Sequence, residues 1–208
     1  MQAGVRGEAV SWKEVLQNGL RTSCRDLHTL VDRHSLLNPL VRPGLTLAHY
    51  ALVLQALYAI NQPVEEKIAN FVTSRQLAFD YAPYRRMADL ASDLEFLGLP
   101  LPKPVWSGPS LDSLAQCLAC LYVLIGATLG GQVIFRQLQN SLALDQNRGA
   151  CFFAGHQERT AAMWQNFWDF AADVSQPEQL VDIQNAARSF FSEILRLLDA
   201  VPCAEQVV

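Results

Sequence analysis

The most restrictive feature of this chain is a long stretch without charge, residues 113–135. It is long enough to cross a bilayer, which takes about 20 residues. However, Gln116, Thr128, Gln132 and three glycines lower its hydrophobicity, and no aromatic belt or basic flank marks its ends apart from Arg136. We therefore expect the central apolar helix of a helical bundle and no membrane span.

Three glycines interrupt this predicted helix, namely Gly126, Gly130 and Gly131. Each costs about 1 kcal/mol relative to alanine in a helix interior. So many glycines in six residues indicate that something lies close to the backbone. The partner is either another helix, as in GxxxG packing, or a flat ligand, and the segment alone leaves both open.

Composition excludes several classes of protein. Half of the residues are hydrophobic and 17% are charged, which is typical of a globular chain. The net charge is -4 and no basic run occurs, which argues against nucleic-acid binding. The five cysteines form no disulfide framework, and the first residues lack the apolar segment of a signal peptide. We expect a cytoplasmic protein in which Cys117 and Cys120 are small buried hydrophobes.

Apolar residues recur at three- and four-residue steps along most of the chain, and hairpin signals are absent. We predict one all-α domain over 12–200, with tails at 1–11 and 201–208. Pro63 either kinks its helix or opens a new one at Val64. The predicted helices cover about 12–34, from a cap at Thr46 onward, 84–97, 111–141 after a cap at Ser110, 156–172, and a last one ending near Ala200.

Among the four histidines, His28 has the surroundings that suit a metal ligand. It lies beside the apolar stripe of its helix, and Asp32 follows one turn later. A carboxylate there can accept a hydrogen bond from the imidazole, the usual support for a metal-bound histidine. Arg21 and Arg25 lie on the same side, where they suit carboxylates at the edge of a ligand. The alternative is that all three are solvated surface charges.

Several stretches, in order, resemble the heme oxygenases over roughly residues 12–200. LRTSCRDLHTLVD (20–32) resembles the proximal helix of that family, and YVLIGATLGGQVI (122–134) resembles its glycine-kinked distal helix. Bacterial members, including those that serve bacteriophytochromes, look most similar. The further matching stretches are LYAINQPVEEKIAN (57–70), YAPYRRMADLASDLEFLG (81–98), FFAG (152–155) and ARSFFSEILRLL (187–198).

The resemblance implies a single-domain helical bundle that holds heme between the proximal helix and the kinked distal helix. His28 would be the axial iron ligand, and the backbone at Gly126 and Gly130 would cover the distal face and steer oxygen. Arg21 and Arg25 would face the propionates. The remaining residues that the resemblance places around heme are Tyr122, Ala127, Gly131 and Phe190.

The resemblance also implies the reaction and its partners. Heme would be both substrate and cofactor, and O2 would open it to biliverdin with release of CO and iron. The chain has neither GxGxxG nor a cluster-type cysteine pattern, so a ferredoxin or a flavoprotein reductase would supply electrons. The biliverdin could serve a phytochrome.

The chain departs from the family at two places. Many members have an aspartate after the first distal glycine, where this chain has Ala127. Basic residues of the mammalian type correspond to Gln165 and Asp169, and an aspartate beside a propionate would repel it. We therefore expect a heme rotated in its plane and a different cleavage position.

These departures keep other functions open. One is a weakly active or inactive carrier of heme or bilin with the same fold. A second is a helical interaction module, in which the glycines only pack helices and His28→Ala affects only stability. A di-iron bundle is disfavoured, because no glutamate has a histidine three residues later.

Overall fold

The computed structural model describes residues 10–201, and this part of the chain is built from helices, without a β-strand. The predicted tails therefore fall almost wholly outside the described residues. The α-helices are α1 (Trp12–Ser23), α2 (Arg25–Arg33), α3 (Leu47–Ser74), α4 (Met87–Phe96), α5 (Leu114–Leu142), α6 (Cys151–Ala154), α7 (Thr160–Val174) and α8 (Leu180–Asp199). The all-α prediction is confirmed.

The segment predicted as one helix over 12–34 is two helices. α1 begins at Ser11, whose hydroxyl accepts a hydrogen bond from the Glu14 amide while the Glu14 carboxylate accepts one from the Ser11 amide. At Cys24 the backbone leaves the helical region, with ψ at 1°. Because Cys24 is buried, this break lies against the core and separates α2 from α1.

α3 begins where the sequence predicts, directly after Thr46. The Thr46 hydroxyl accepts a hydrogen bond from the His49 amide and caps α3. α3 then continues through Pro63 to Ser74, so no new helix opens at Val64.

The apolar helix α5 begins at Ser113, so the predicted cap at Ser110 is wrong. Ser113 and Gln116 exchange backbone and side-chain hydrogen bonds in a capping box. By length and composition, α5 is the one described helix that could span a membrane. It packs against four other helices of the bundle, namely α3, α6, α7 and α8. Cys117 and Cys120 are buried in it.

The last part of the chain closes the bundle. The helix predicted from His156 begins later, at Thr160, after the short α6 and a turn of 3-10 helix over Gln157–Arg159. α8 packs against α1, α2 and α5, which places it at the centre of one side of the molecule. α2 and α5 therefore share α8 as a neighbour.

Candidate functional site

His28 lies on the exposed side of α2. Its side chain is 60% exposed, and its Nδ1 lies 3.0 Å from an Asp32 carboxylate oxygen. The predicted contact between these residues is therefore present. A carboxylate at Nδ1 favours the tautomer that carries its proton there, which leaves the Nε2 lone pair available. An exposed imidazole oriented in this way can ligate a metal.

An aromatic ring of α8 lies between His28 and α5. The Phe191 ring lies 6.1 Å from the His28 ring and 6.4 Å from the Tyr122 ring, edge-on to both. Tyr122 belongs to α5, so α2, α8 and α5 meet at Phe191. Phe190, the residue predicted to touch the ligand edge, is buried in the same core cluster. Phe191 is thus the ring next to His28, one residue along the chain.

One face of α5 is bare. Ala127 and Gly130 are exposed, and so are two large apolar side chains, Leu129 at 40% and Val133 at 58%. A β-carbon added at Gly130 would meet nothing within 4 Å. Helix packing therefore does not explain Gly130, because no neighbouring helix lies against it.

The other two glycines of α5 do pack against protein. A β-carbon at Gly131 would lie 3.4 Å from the Phe153 carbonyl oxygen of α6, and one at Gly126 would lie 3.4 Å from the Trp164 ring of α7. Helix packing thus accounts for Gly126, against the Trp164 ring, and for Gly131, against the α6 backbone, whereas Gly130 faces open space.

The bare face of α5 carries no acid. Ala127 occupies the position after Gly126 and has no polar side-chain atom. The neighbouring Thr128 hydroxyl donates a hydrogen bond to the Ile125 carbonyl oxygen at 2.6 Å, within its own helix. Thr128 is therefore no substitute for a carboxylate on this face.

The two arginines predicted at the ligand edge are exposed and adjacent to the break at Cys24. Arg21 lies in the last turn of α1, and Arg25 is the first residue of α2. Neither takes part in an ion pair among residues 10–201. Burial raises the pKa of the Tyr122 phenol to about 12, and the positive charge of Arg21 opposes this increase only in part.

Asp169 is paired with a cation. Its carboxylate lies 2.5 Å from the Lys13 ammonium, which joins α7 to α1. The expectation that Asp169 repels a ligand carboxylate treated its charge as unpaired, and Lys13 offsets much of that charge. Gln165 is exposed on the same helix.

Three residues of the site were not singled out from the sequence: Phe191, Lys13 and Arg188. Arg188 of α8 forms a bidentate ion pair with Asp26 of α2. The Phe190–Phe191 pair indicated an aromatic contact. Which of the two rings faces His28 depends on how α8 is rotated about its axis relative to α2. Lys13 and Arg188 pair with residues more than 150 positions away, which no local pattern reveals.

These residues fit a flat apolar group with an iron centre. α2 offers an exposed imidazole with its Nδ1 held by a carboxylate. α5 offers a helix face without charge, on which Gly130 leaves room for close contact with the backbone. Histidine ligation on one side and an apolar distal side match what heme requires of a protein.

Comparisons with known proteins concern the family and the fold. The family model described as heme oxygenase matches residues 14–100. Among curated protein sequences, none matches the chain.

Solved structures with the same fold include three bacterial heme oxygenases. Heme oxygenase from Neisseria meningitidis, solved with NO and CO bound, has a TM-score of 0.73 and 20% identity, covering 94% of this chain and 96% of that chain. Heme oxygenase from Leptospira interrogans has a TM-score of 0.71 and 18% identity, covering 88% and 98%. Heme oxygenase-1 from the cyanobacterium Synechocystis sp. PCC6803, in complex with heme, has a TM-score of 0.65 and 18% identity, covering 88% and 90%.

Proposed function

We propose that this chain belongs to the heme oxygenase family, whose model matches residues 14–100 and whose fold it shares, and that it opens heme oxidatively to biliverdin with release of CO and iron. The observation that carries the proposal is the contact between His28 and Asp32 on α2, next to Phe191, which also contacts Tyr122 of α5. We place heme in a cleft between α2 and the bare face of α5. Heme would be both substrate and cofactor.

Bound heme supplies the iron that activates O2 and the ring that is oxidised. His28 then acts through Nε2, while Asp32 accepts the Nδ1 proton and fixes the orientation of the imidazole. His28 would hold the iron as a neutral ligand, and the iron would supply the binding and activation of O2.

In this proposal, α5 contributes an apolar surface against which a flat ligand can lie. Gly130 lets the backbone lie close to a flat ligand, and Leu129 and Val133 keep water from the sides. Because Ala127 offers no proton donor, the side chains of this face orient the small molecule by exclusion rather than by acid catalysis.

The edge of the ligand meets polar groups. Arg21 and Arg25 are free of ion pairs among the described residues, and we assign them to the propionates, with Tyr122 beside them. Phe190 and Phe191 support the ligand from α8, and Phe191 is the one in contact with His28. Asp169 need not force a rotated heme, since Lys13 offsets its charge.

Electrons for the reaction come from a partner, in our proposal a ferredoxin or a flavoprotein reductase. The chain contains no dinucleotide-binding glycine motif, and Cys24, Cys117, Cys120 and Cys151 are free cysteines that form no cluster-type spacing. We place the protein in the cytoplasm, where reduced carriers and free thiols both persist. Delivery of biliverdin to a phytochrome is one use of the product.

A hemin titration of the purified chain tests the proposal. We expect a saturable one-to-one Soret complex with the wild type and its loss in His28→Ala. His49→Ala is the matched control, because it removes another helical imidazole, one whose Nε2 contacts the Leu36 carbonyl oxygen.

Turnover is then followed by adding a reductant, an electron-donor protein and air. Decay of the Soret band with growth of a biliverdin absorption is the expected result. A stable complex that never decays with an efficient donor would indicate a carrier, and the absence of any saturable complex would refute the heme site.

A further inference from the structure

The helix that carries His28 is held to the molecule in an unusual way. None of the nine residues of α2 is fully buried. Leu27 and Val31 pack against the core but stay half-buried. Apolar burial, which anchors most helices of a bundle, therefore anchors α2 weakly.

A polar clamp holds the beginning of α2. The Arg188 guanidinium donates to both oxygens of the Asp26 carboxylate, at 2.7 and 2.9 Å. It also donates to the Ser23 carbonyl, just before the break at Cys24. One side chain of α8 thus binds the end of α1 and the start of α2 together. The hydrogen bonds to Arg188 lower the pKa of Asp26 to about 2.

A second polar clamp holds the end of α2. The Leu36 amide donates to Nδ1 of His34 at 3.2 Å, so the ring proton lies on Nε2. Nε2 then donates to the Asp199 carboxylate at 3.0 Å. Asp199 is the last residue of α8, so this clamp joins the far ends of the same two helices.

The ligand-bearing residue lies between the two clamps. His28 follows Asp26 by two residues and precedes His34 by six. Its ring rests against Phe191, which lies on α8 between Arg188 and Asp199. The position of His28 relative to α5 therefore depends on how α2 is tied to α8 at its two ends.

We infer that Arg188 and His34 are positioning residues, which tie α2 to α8 and so fix where His28 stands across the cleft from α5. The consequence for the ligand rests on the proposed function, whereas the tie itself is a property of the ligand-free chain. Neither residue touches the reacting atoms.

Hydrogen exchange of the ligand-free chain tests the tie directly. In Arg188→Ala we expect the amides of α2 to exchange at least about threefold faster, while those of α3 and α5 keep their rates. The matched control is Arg196→Ala, which removes an arginine of α8 whose partner, Glu193, is on the same helix. Equal rates in α2 for both variants would overturn the inference.

The reciprocal variants separate this tie from a loss of charge. Asp26→Asn should speed the exchange of α2 as Arg188→Ala does, and the double variant should add little to either. His34→Ala should act mainly on the last turn of α2. Full additivity of Asp26→Asn and Arg188→Ala would contradict a shared clamp.

The hemin complex gives a second readout, the iron–histidine stretching band of the reduced protein. In Arg188→Ala we expect this band to broaden and shift, and hemin to dissociate several-fold faster, with Arg196→Ala unchanged. If the wild type binds no hemin, the proposed function fails while the exchange data still decide the tie. If it binds hemin and neither the band nor the exchange changes, the clamps do not position His28.

Discussion

At the scale of single residues, the site depends on one contact between two exposed side chains. Asp32 lies one turn after His28 and fixes which ring nitrogen is available. This contact was predictable from spacing, because residues four apart share a helix face. Which ring contacts His28 was not predictable, because Phe190 and Phe191 are adjacent and the local sequence does not show which of them points toward α2.

Asp32→Asn tests the contact. An amide is a weaker acceptor than a carboxylate, so the imidazole becomes a poorer donor to iron. We expect hemin affinity to fall several-fold, to about tenfold, and the iron–histidine stretch to move to lower frequency. Asp182→Asn, at an exposed position of α8, is the control, and equal spectra for the two variants would contradict the role of Asp32.

At the scale of helices, local patterns predicted what local interactions decide. The Thr46 cap and the overall helical content follow from short-range chemistry. The break at Cys24 does not, because the Ser23 carbonyl beside it is bound by Arg188 from the far end of the chain. Ser113 was overlooked although Gln116 three residues later completes its capping box.

The glycines of α5 give a matched pair of variants. Gly130→Ala adds a methyl group in open space, so the ligand-free chain should gain up to about 1 kcal/mol in its free energy of unfolding. The same methyl group intrudes on the cleft, so hemin should bind more weakly. Denaturant titration and Soret titration measure the two effects.

Gly131→Ala should behave differently. Its new β-carbon meets the Phe153 carbonyl oxygen at 3.4 Å, away from the cleft, so most of the gain in stability is lost and hemin affinity stays at the wild-type value. If Gly131→Ala weakens hemin binding as much as Gly130→Ala does, the assignment of the bare face is wrong.

At the scale of the whole molecule, the first two described helices pack against the last two. α1 and α2 pack on α8, and Lys13 reaches α7. Sequence patterns predicted the helices but not these pairings, because contacts across more than 150 residues leave no local periodicity. The pairing of Asp169 with Lys13 could not be predicted for the same reason.

The pH dependence of stability should report one buried histidine at the corner between α6 and α7. Burial lowers the pKa of His156 to about 4, and the charges of Arg86 and Arg159 act in the same direction, partly opposed by Asp89. The unfolded chain takes up this proton near pH 6.5 and the folded chain only near pH 4. The contribution of His156 to stability is therefore complete above pH 6.5 and is lost as the pH falls toward 4.

His156→Gln removes this titration. The difference in unfolding free energy between wild type and variant should shrink or reverse between pH 6.5 and 4, as measured by urea denaturation at several pH values. Other titrating groups are common to both proteins and cancel in the difference. A difference that stays constant over this range would show that His156 titrates normally.

The two thiols inside α5 can report how often the core of the molecule opens. Burial raises the pKa of Cys117 to about 12, and that of Cys120 is raised as well, so neither is a thiolate at neutral pH. A thiol-specific dye can modify them only after the central helix has separated from its neighbours. The rate at which Cys117 and Cys120 are modified under native conditions therefore measures how often the core opens. A ligand that bridges α2 and α5 should lower this rate.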